Sequence, residues 1–357
     1  MNLPNTINTP RSRGGHIQGI AYDKVNECIY CSFTTELLKL DLEGNIVGSV
    51  VSLVGHLGCI AFDEQSRRLY GSLELKHDSI GRGIMGRTGV QLSNEDAFYV
   101  VSFDVDKIDR VGLHAEKDGI MTAAYLADVA RDYAEVDEVS GCLHRYGCSG
   151  IDGITLCPAF DGSGKKLLTV AYGIYSEIER TDNDHQVLLQ FDACELERLS
   201  RPLEQTAPHH SGEEMIGARC FFYTGNTSWG VQNLEYDESS GLLLFAVYVG
   251  KKPEFTPFKL FTARADSAKP ATLSGRGGES ALLLEDARLG QLGEHGVYGS
   301  HFLYGSTGLC SLGDGLFYVS EPKGEKVEVD GEKVRYYSST IRKYRFDPSS
   351  EELFVAL

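Results

Sequence analysis

The sequence predicts an all-β protein, a five-bladed β-propeller of four-stranded antiparallel blades. Two observations predict it. An apolar segment closed by an acidic or glycine turn recurs five times, at His16 to Asp23, His56 to Asp63, Gly150 to Leu156, Gly230 to Asp237 and, in degenerate form, Gly305 to Asp314. A second apolar run follows each copy: Ile29 to Phe33, Leu69 to Leu73, Leu167 to Tyr172, Leu243 to Tyr248 and Leu316 to Ser320. Repetition of one supersecondary unit at this scale means a solenoid or a ring, and units of short Val-, Ile-, Tyr- and Phe-rich strands indicate propeller blades.

Taken in order, the blades fall near 15–54, 55–114, 149–202, 229–273 and 304–357, within a single domain spanning 1–357. Their third strands begin at Leu37, Phe98, Val187, Phe258 and Thr340, and a weaker fourth run closes most units. The turn from first to second strand is a short cluster of Asp, Gly, Ser or Asn in every unit, as at Asp23 to Glu27 and Asp237 to Gly241, and the turn from third to fourth is similar. Such clusters suit hairpin turns. The remaining connections are long: 74–97, 115–148, 173–186, 203–228, 274–303 and 321–339. Alternate connections of an up-and-down sheet emerge on alternate faces, so one face is expected to carry tight turns and the other the elaboration. Long loops on a rigid scaffold are where binding and catalysis are usually placed.

One insertion, near 118–136, reads as a small helix: Asp118 is positioned to cap it, and Ile120, Met121, Ala124, Tyr125, Val129 and Tyr133 recur at helical spacing. The ring closes either by packing alone or by Asn5 to Thr9 adding a strand to the last blade.

Composition excludes several classes. With 34 Lys and Arg against 51 Asp and Glu, the formal charge is −17, which argues against nucleic acid and against a polybasic membrane contact. Residues 1–15 lack the apolar centre of a signal peptide, and no stretch has the length of a membrane-spanning helix. The nine cysteines are odd in number and mostly sit in apolar strand patterns, which fits a reducing cytoplasmic compartment. Cys28 and Cys31 are spaced as in a CxxC motif, but three apart on a strand they point to opposite faces.

Aligned on their innermost strands, the units give two columns near the axis: His16, His56, Gly150, Gly230, Gly305, and then Gln18, Gly58, Asp152, Gln232, Thr307, with Asn233 beside Gln232. Their oxygen donors, Gln18, Asp152, Gln232 and Asn233, are candidate ligands for a divalent ion, Ca²⁺ first, and no organic cofactor is indicated. The second strands leave toward the same face. In the second blade this exit reads Glu74, Lys76, His77, Asp78; with His16 and His56 it supplies candidate proton-transfer groups, namely His16, His56, Glu74 and His77. Lys76, Tyr172, Tyr248, Lys252 and Glu321 occupy equivalent exits and are candidate substrate-binding residues, the lysines for an anion.

The pairs Gly19-Ile-Ala-Tyr-Asp23 with Ile29-Tyr30, and Cys59-Ile-Ala-Phe-Asp63 with Leu69-Tyr70, resemble the propeller superfamily of NHL-repeat and SMP-30/gluconolactonase-like proteins. That resemblance covers nearly the whole chain as repeat architecture. It implies a divalent metal held over the tunnel by a Glu, Asn and Asp set, of which Asp152 and Asn233 are the counterparts here, with Gln18 where a carboxylate is expected. The expectation is a cytoplasmic propeller that binds a small polar, anionic molecule at the loop-bearing mouth, as a metal-assisted hydrolase of lactone or phosphoester type. The alternative is a non-catalytic propeller that binds a ligand or a protein partner.

Overall fold

The computed structural model describes residues 3–357 and shows five sheets around a central axis. Blade 1 consists of Ile17–Asp23, Cys28–Phe33, Glu36–Asp41 and Ile46–Val51, hydrogen-bonded in that order, with the short Leu113–His114 added to its outer edge. Blade 2 contains His56–Asp63, Arg68–Leu75, Ala97–Asp104 and Met121–Tyr125. Blade 3 contains Cys148–Pro158, Lys166–Ile174, His185–Phe191 and Ala218–Tyr223, extended by Ser280–Leu283 and Lys269–Thr272. Blade 4 has three strands, Thr227–Asp237, Leu242–Val249 and Leu260–Arg264. Its fourth position is filled only by single bridges from Leu260 to Ser300 and from Ala263 to Asp286.

Blade 5 closes the ring. Its strands Leu309–Gly313, Leu316–Val329 and Glu332–Phe346 are followed at the outer edge by two short segments from opposite ends of the chain. Thr6–Asn8 pairs with 340–342, and Phe354–Ala356 pairs with 344–346. Strand addition by the N-terminal segment is thus the closure used, and Ile7 is buried by it.

The core is divided as strand periodicity dictates. Successive side chains of a strand point to opposite faces, so each strand feeds two inter-blade layers. Leu243, Phe245 and Val247 pack toward blade 3, whereas Leu242, Leu244 and Ala246 pack toward blade 5. The same rule separates Cys28, between blades 1 and 2, from Cys31, between blades 5 and 1. One apolar cluster lies between each neighbouring pair of blades. Burying each large side chain contributes roughly 1.5–3 kcal/mol, so the rigidity of the tunnel wall is set by these layers.

Four local expectations change. Blade 3 does not end near 202: its fourth strand, Ala218–Tyr223, lies within the 203–228 segment read as an inter-blade loop, and most of that segment leads into this strand on the tight-turn face. Residues Met121–Tyr125 form the outer strand of blade 2, and the helix near 118–136 shortens to Ala127–Ala134. Met121, Ala123 and Tyr125 face one layer while Ala124 faces the next, a period of two that the helical reading had absorbed. Asp118 caps no helix; its carboxylate accepts from the His114 amide instead. The 321–339 excursion is no loop: the two strands continue as one hairpin to its turn at Asp330 and Gly331. The tight-turn face also carries one helix, Ala193–Leu199, capped by Asp192. Among the described residues no helix is long and apolar enough to cross a membrane.

Candidate functional site

The inner strands begin, and the second strands end, on the elaborated face. Four of the five inner strands are irregular at the same height. One residue is unmatched by the partner strand between Ile17 and Gly19, between Leu57 and Ile60, between Ile151 and Ile154, and between Val231 and Asn233. These β-bulges fall on the sequence column Gln18, Gly58, Asp152 and Gln232. A bulge re-aims a side chain and opens the local sheet, and here it turns Gln18, Asp152 and Gln232 into a pocket of about 420 Å³. Helix Ser79–Thr88, capped by the Asp78 carboxylate on the amides of Ile80 and Gly81, forms one wall and contributes Arg87. Part of the long 74–97 connection is therefore helical, with Gly89 ending the helix in a left-handed conformation. Trp229, Tyr248 and Tyr337 supply aromatic surface.

Within the pocket, the Gln18 amide nitrogen lies 3.1 Å from His16 Nε2, 3.0 Å from His56 Nε2 and 3.2 Å from Thr34 Oγ1, and it shares its two hydrogens among these acceptors, His56 being the nearest. A ring nitrogen that accepts leaves the proton on the other nitrogen. His56 Nδ1 then faces Glu74 Oε2 and Asp152 Oδ1, each at 3.6 Å. That distance is too long for a direct hydrogen bond. His56 Nδ1 and Asp152 Oδ1 are both buried without a hydrogen-bond partner among the described residues.

The acidic group is organised around one ammonium. Lys76, only 3 % exposed, lies 2.7 Å from Glu74 Oε2 and 3.3 Å from Asp78 Oδ2, and it donates to the Ser149 carbonyl at 2.7 Å. Burial opposes the Lys76 charge, but Glu74 and Asp78 hold it on. The other Glu74 oxygen accepts from the Ile151 amide at 2.7 Å. A Cβ at Gly150 would stand 1.7 Å from that same oxygen, and Gly150 has φ of +126°, so only glycine fits there. Burial, then the Glu74 charge, pushes the Asp152 carboxyl well above the usual carboxylate range. Burial also raises Glu74, against the pull of Lys76. For Asp78 burial opposes ionisation, but Lys76 and the helix amides bring its pKa below the ordinary value. Burial, then Lys76, drives His56 down to about 3. Three carboxyls around one ammonium cannot all ionise cheaply, and the upward push is strongest on Asp152, whose charge burial and Glu74 both oppose.

The structure brings together His16, Gln18, His56, Glu74, Lys76, Asp152, Gln232 and Tyr248 from the sequence-predicted set. It removes the others from the pocket. His77 pairs outward with Asp96 at 3.0 Å. Lys252 is buried against Asp184 and Asn183, and Lys76 is spent on Glu74, so neither lysine is free for an anion. The Tyr172 hydroxyl donates to Asp132 in the interior, and Glu321 is held by Arg342 and Tyr344. Asn233 bridges blades: its amide donates to the carbonyls of Gln18 and Ser306, and its oxygen accepts from Cys59 Sγ. Sequence reasoning missed Arg87, Ser149 and Tyr337 as parts of the site. Arg87 and Tyr337 come from segments read as loop, where no periodic signal exists.

The remaining ring does not fit Ca²⁺. It offers one carboxylate, Asp152, whose Oδ2 already accepts from the Gln232 amide at 2.9 Å, and a hard cation needs several oxygens. Among the described residues no group of three His, Cys, Asp or Glu side chains is arranged to hold a metal.

The sequence matches no known family profile and no curated protein. Among solved structures it is similar to the Dos1 propeller, at 12% identity and a TM-score of 0.35, over 85% of this chain and 52% of that one. The chain thus spans about half the length of that relative. It is also similar to the PQQ domain of pyranose dehydrogenase from Coprinopsis cinerea, at 10% identity and a TM-score of 0.41, over 90% and 81%. A third is the Cps50 (Swd1) β-propeller domain of Myceliophteria thermophila, at 10% identity and a TM-score of 0.32, over 99% and 89%. The strand order defines this chain as a five-bladed β-propeller. It carries a polar pocket built on inner-strand bulges at one mouth of its tunnel.

Proposed function

We propose that this propeller binds a small polyhydroxylated molecule in the tunnel-mouth pocket. The observation that carries the reading is the pair of buried, unpartnered atoms, His56 Nδ1 and Asp152 Oδ1, 3.6 Å apart on two side chains that line the cavity. Leaving such atoms unpaired costs about 1–3 kcal/mol each. A ligand hydroxyl satisfies both at once, accepting from the imidazole N–H and donating to the carboxyl oxygen. Gln18, Gln232 and Ser149 offer further polar contacts, and Trp229 and Tyr248 offer faces for the ring carbons.

Trp229 is the only tryptophan in the chain, so its fluorescence reports on the pocket. Titration with D-glucose, D-ribose and myo-inositol is expected to give a saturable change and a rise in Tm, since a ligand of the native state stabilises it. Asp152→Asn and His56→Phe are expected to weaken binding at least tenfold. If no neutral polyol perturbs Trp229 or Tm, the reading is lost. Added Ca²⁺ is expected to leave Tm unchanged.

Hydrolysis of a lactone or phosphoester in this pocket is a second reading. The upward shift of the Asp152 carboxyl by burial and by the Glu74 charge favours it, because a buried carboxyl whose ionisation is opposed is suited to protonating a leaving oxygen. His16, His56 and Glu74 are then the remaining proton-handling groups. Turnover of glucono-δ-lactone or p-nitrophenyl phosphate that is equal in wild type and Asp152→Asn would remove this reading.

A further inference from the structure

A second cleft adjoins the pocket and shares His16, Tyr248 and Tyr337 with it. Its volume is about 670 Å³, and its lining contains Lys259, Lys323 and Arg335 but no Asp or Glu. In a chain with 17 more acids than bases, a cavity with three cations and no carboxylate is the opposite of the average surface. The cations are also without carboxylate partners among the described residues. Lys323 donates to the Thr340 hydroxyl, Arg335 lies over the Tyr337 ring at 5.2 Å, and none of the three forms an ion pair among the described residues. The two acids that flank Lys323 in sequence are taken elsewhere, Glu325 by Arg11 and Glu321 by Arg342. Hydroxyls of Ser306, Thr307 and Ser338 complete the lining. At the junction of the two cavities, burial and then Arg87 and Arg335 lower the His16 pKa, so positive potential extends into the pocket.

We infer that this cleft is an anion site that takes the phosphate of a phosphorylated polyol or sugar, whose hydroxylated ring occupies the tunnel-mouth pocket. The inference rests on the polyol reading for the ring, and on the carboxylate-free lining alone for the phosphate. A phosphate monoester carries close to two negative charges at neutral pH and three strong acceptor oxygens, which Arg335, Lys259 and Lys323 match. The cations that the sequence assigns to an anion, Lys76 and Lys252, are replaced by these three, contributed by the residue just before the third strand of blade 4 and by the long hairpin of blade 5.

Calorimetric titration of the full chain with inorganic phosphate, D-glucose, D-gluconate and D-glucose 6-phosphate tests it, in wild type and in Lys259→Ala/Arg335→Ala. Neither side chain is in the core, so the variant is expected to keep the wild-type Tm. Glucose 6-phosphate is expected to bind at least tenfold more tightly than glucose, with affinity falling as salt rises, and the double variant is expected to remove that advantage. Equal affinity for the two sugars in wild type, or an undiminished advantage in the variant, overturns the anion site. Gluconate matching glucose 6-phosphate overturns the choice of phosphate over carboxylate. Inorganic phosphate that binds wild type but not the variant, while glucose does not bind at all, upholds the anion site and overturns the polyol reading. Glucose binding that survives in the variant, with no phosphate binding anywhere, does the reverse.

Discussion

Replacing Glu74 by Gln isolates the electrostatics of the site. The variant keeps size and keeps an oxygen for the Ile151 amide, but removes the charge 2.7 Å from the Lys76 ammonium. Lys76 then retains the Ser149 carbonyl and Asp78 at 3.3 Å. Breaking a buried pair by removing one partner costs about 3–5 kcal/mol, and these surviving contacts place the expected loss at the low end. An unfolding entropy of about 2.1 cal/mol/K per residue gives roughly 0.75 kcal/mol/K for a chain of this length, so Tm should fall by about 4 °C. Adding Lys76→Met should recover most of that fall, because an apolar side chain of similar volume needs no counter-charge. Differential scanning calorimetry of wild type, Glu74→Gln and Glu74→Gln/Lys76→Met makes the comparison. An unchanged Tm in the single variant would mean that Glu74 already carries a proton and that Asp152 supplies the counter-charge. A double variant less stable than the single would refute the ion-pair account altogether.

Gly150→Ala should destabilise the fold by more than about 3 kcal/mol and abolish ligand binding, since the φ of +126° excludes a Cβ and the new methyl displaces Glu74; soluble protein of wild-type Tm would contradict this. At the other mouth of the tunnel, burial drives Glu235 up to about 8. A carboxyl raised in the native state holds a proton that the unfolded chain has lost, so its contribution is present below pH ~4. That contribution is lost as pH rises toward 8. Glu235→Gln should therefore gain Tm over wild type progressively between those values, and a pH-independent difference would sink the assignment. Removing residues 1–9 strips Thr6–Asn8 from the edge of blade 5 and exposes the 340–342 edge, so Tm should drop by several degrees and aggregation should increase; an unaltered Tm would show that Phe354–Ala356 closes the ring alone.

The sequence by itself determined the number of blades, the inner and second strands of each, and the column Gln18, Gly58, Asp152, Gln232. These follow from period-two patterns and Asp- and Gly-rich turns, which are local and repeat five times. It also placed His56, Glu74 and Asp152 at one mouth, because strand direction alone sends them there. But it put the whole elaboration on one face, whereas residues 105–120 and 192–217 join third to fourth strands on the tight-turn face. Tertiary structure decided the rest. Met121–Tyr125 satisfies helical and strand spacing equally, and only the vacant edge of blade 2 selects the strand. Bulges leave no mark in composition, yet they aim Asp152 and Gln232 inward. Whether a lysine is free or already paired depends on what folds against it: Lys76 and Lys252 look available in sequence and are neutralised in space, whereas Lys259 and Arg335 look ordinary and are left facing a cavity without carboxylates. Charge pairing acts across blades far apart along the chain, and that is why only the closed ring could settle it.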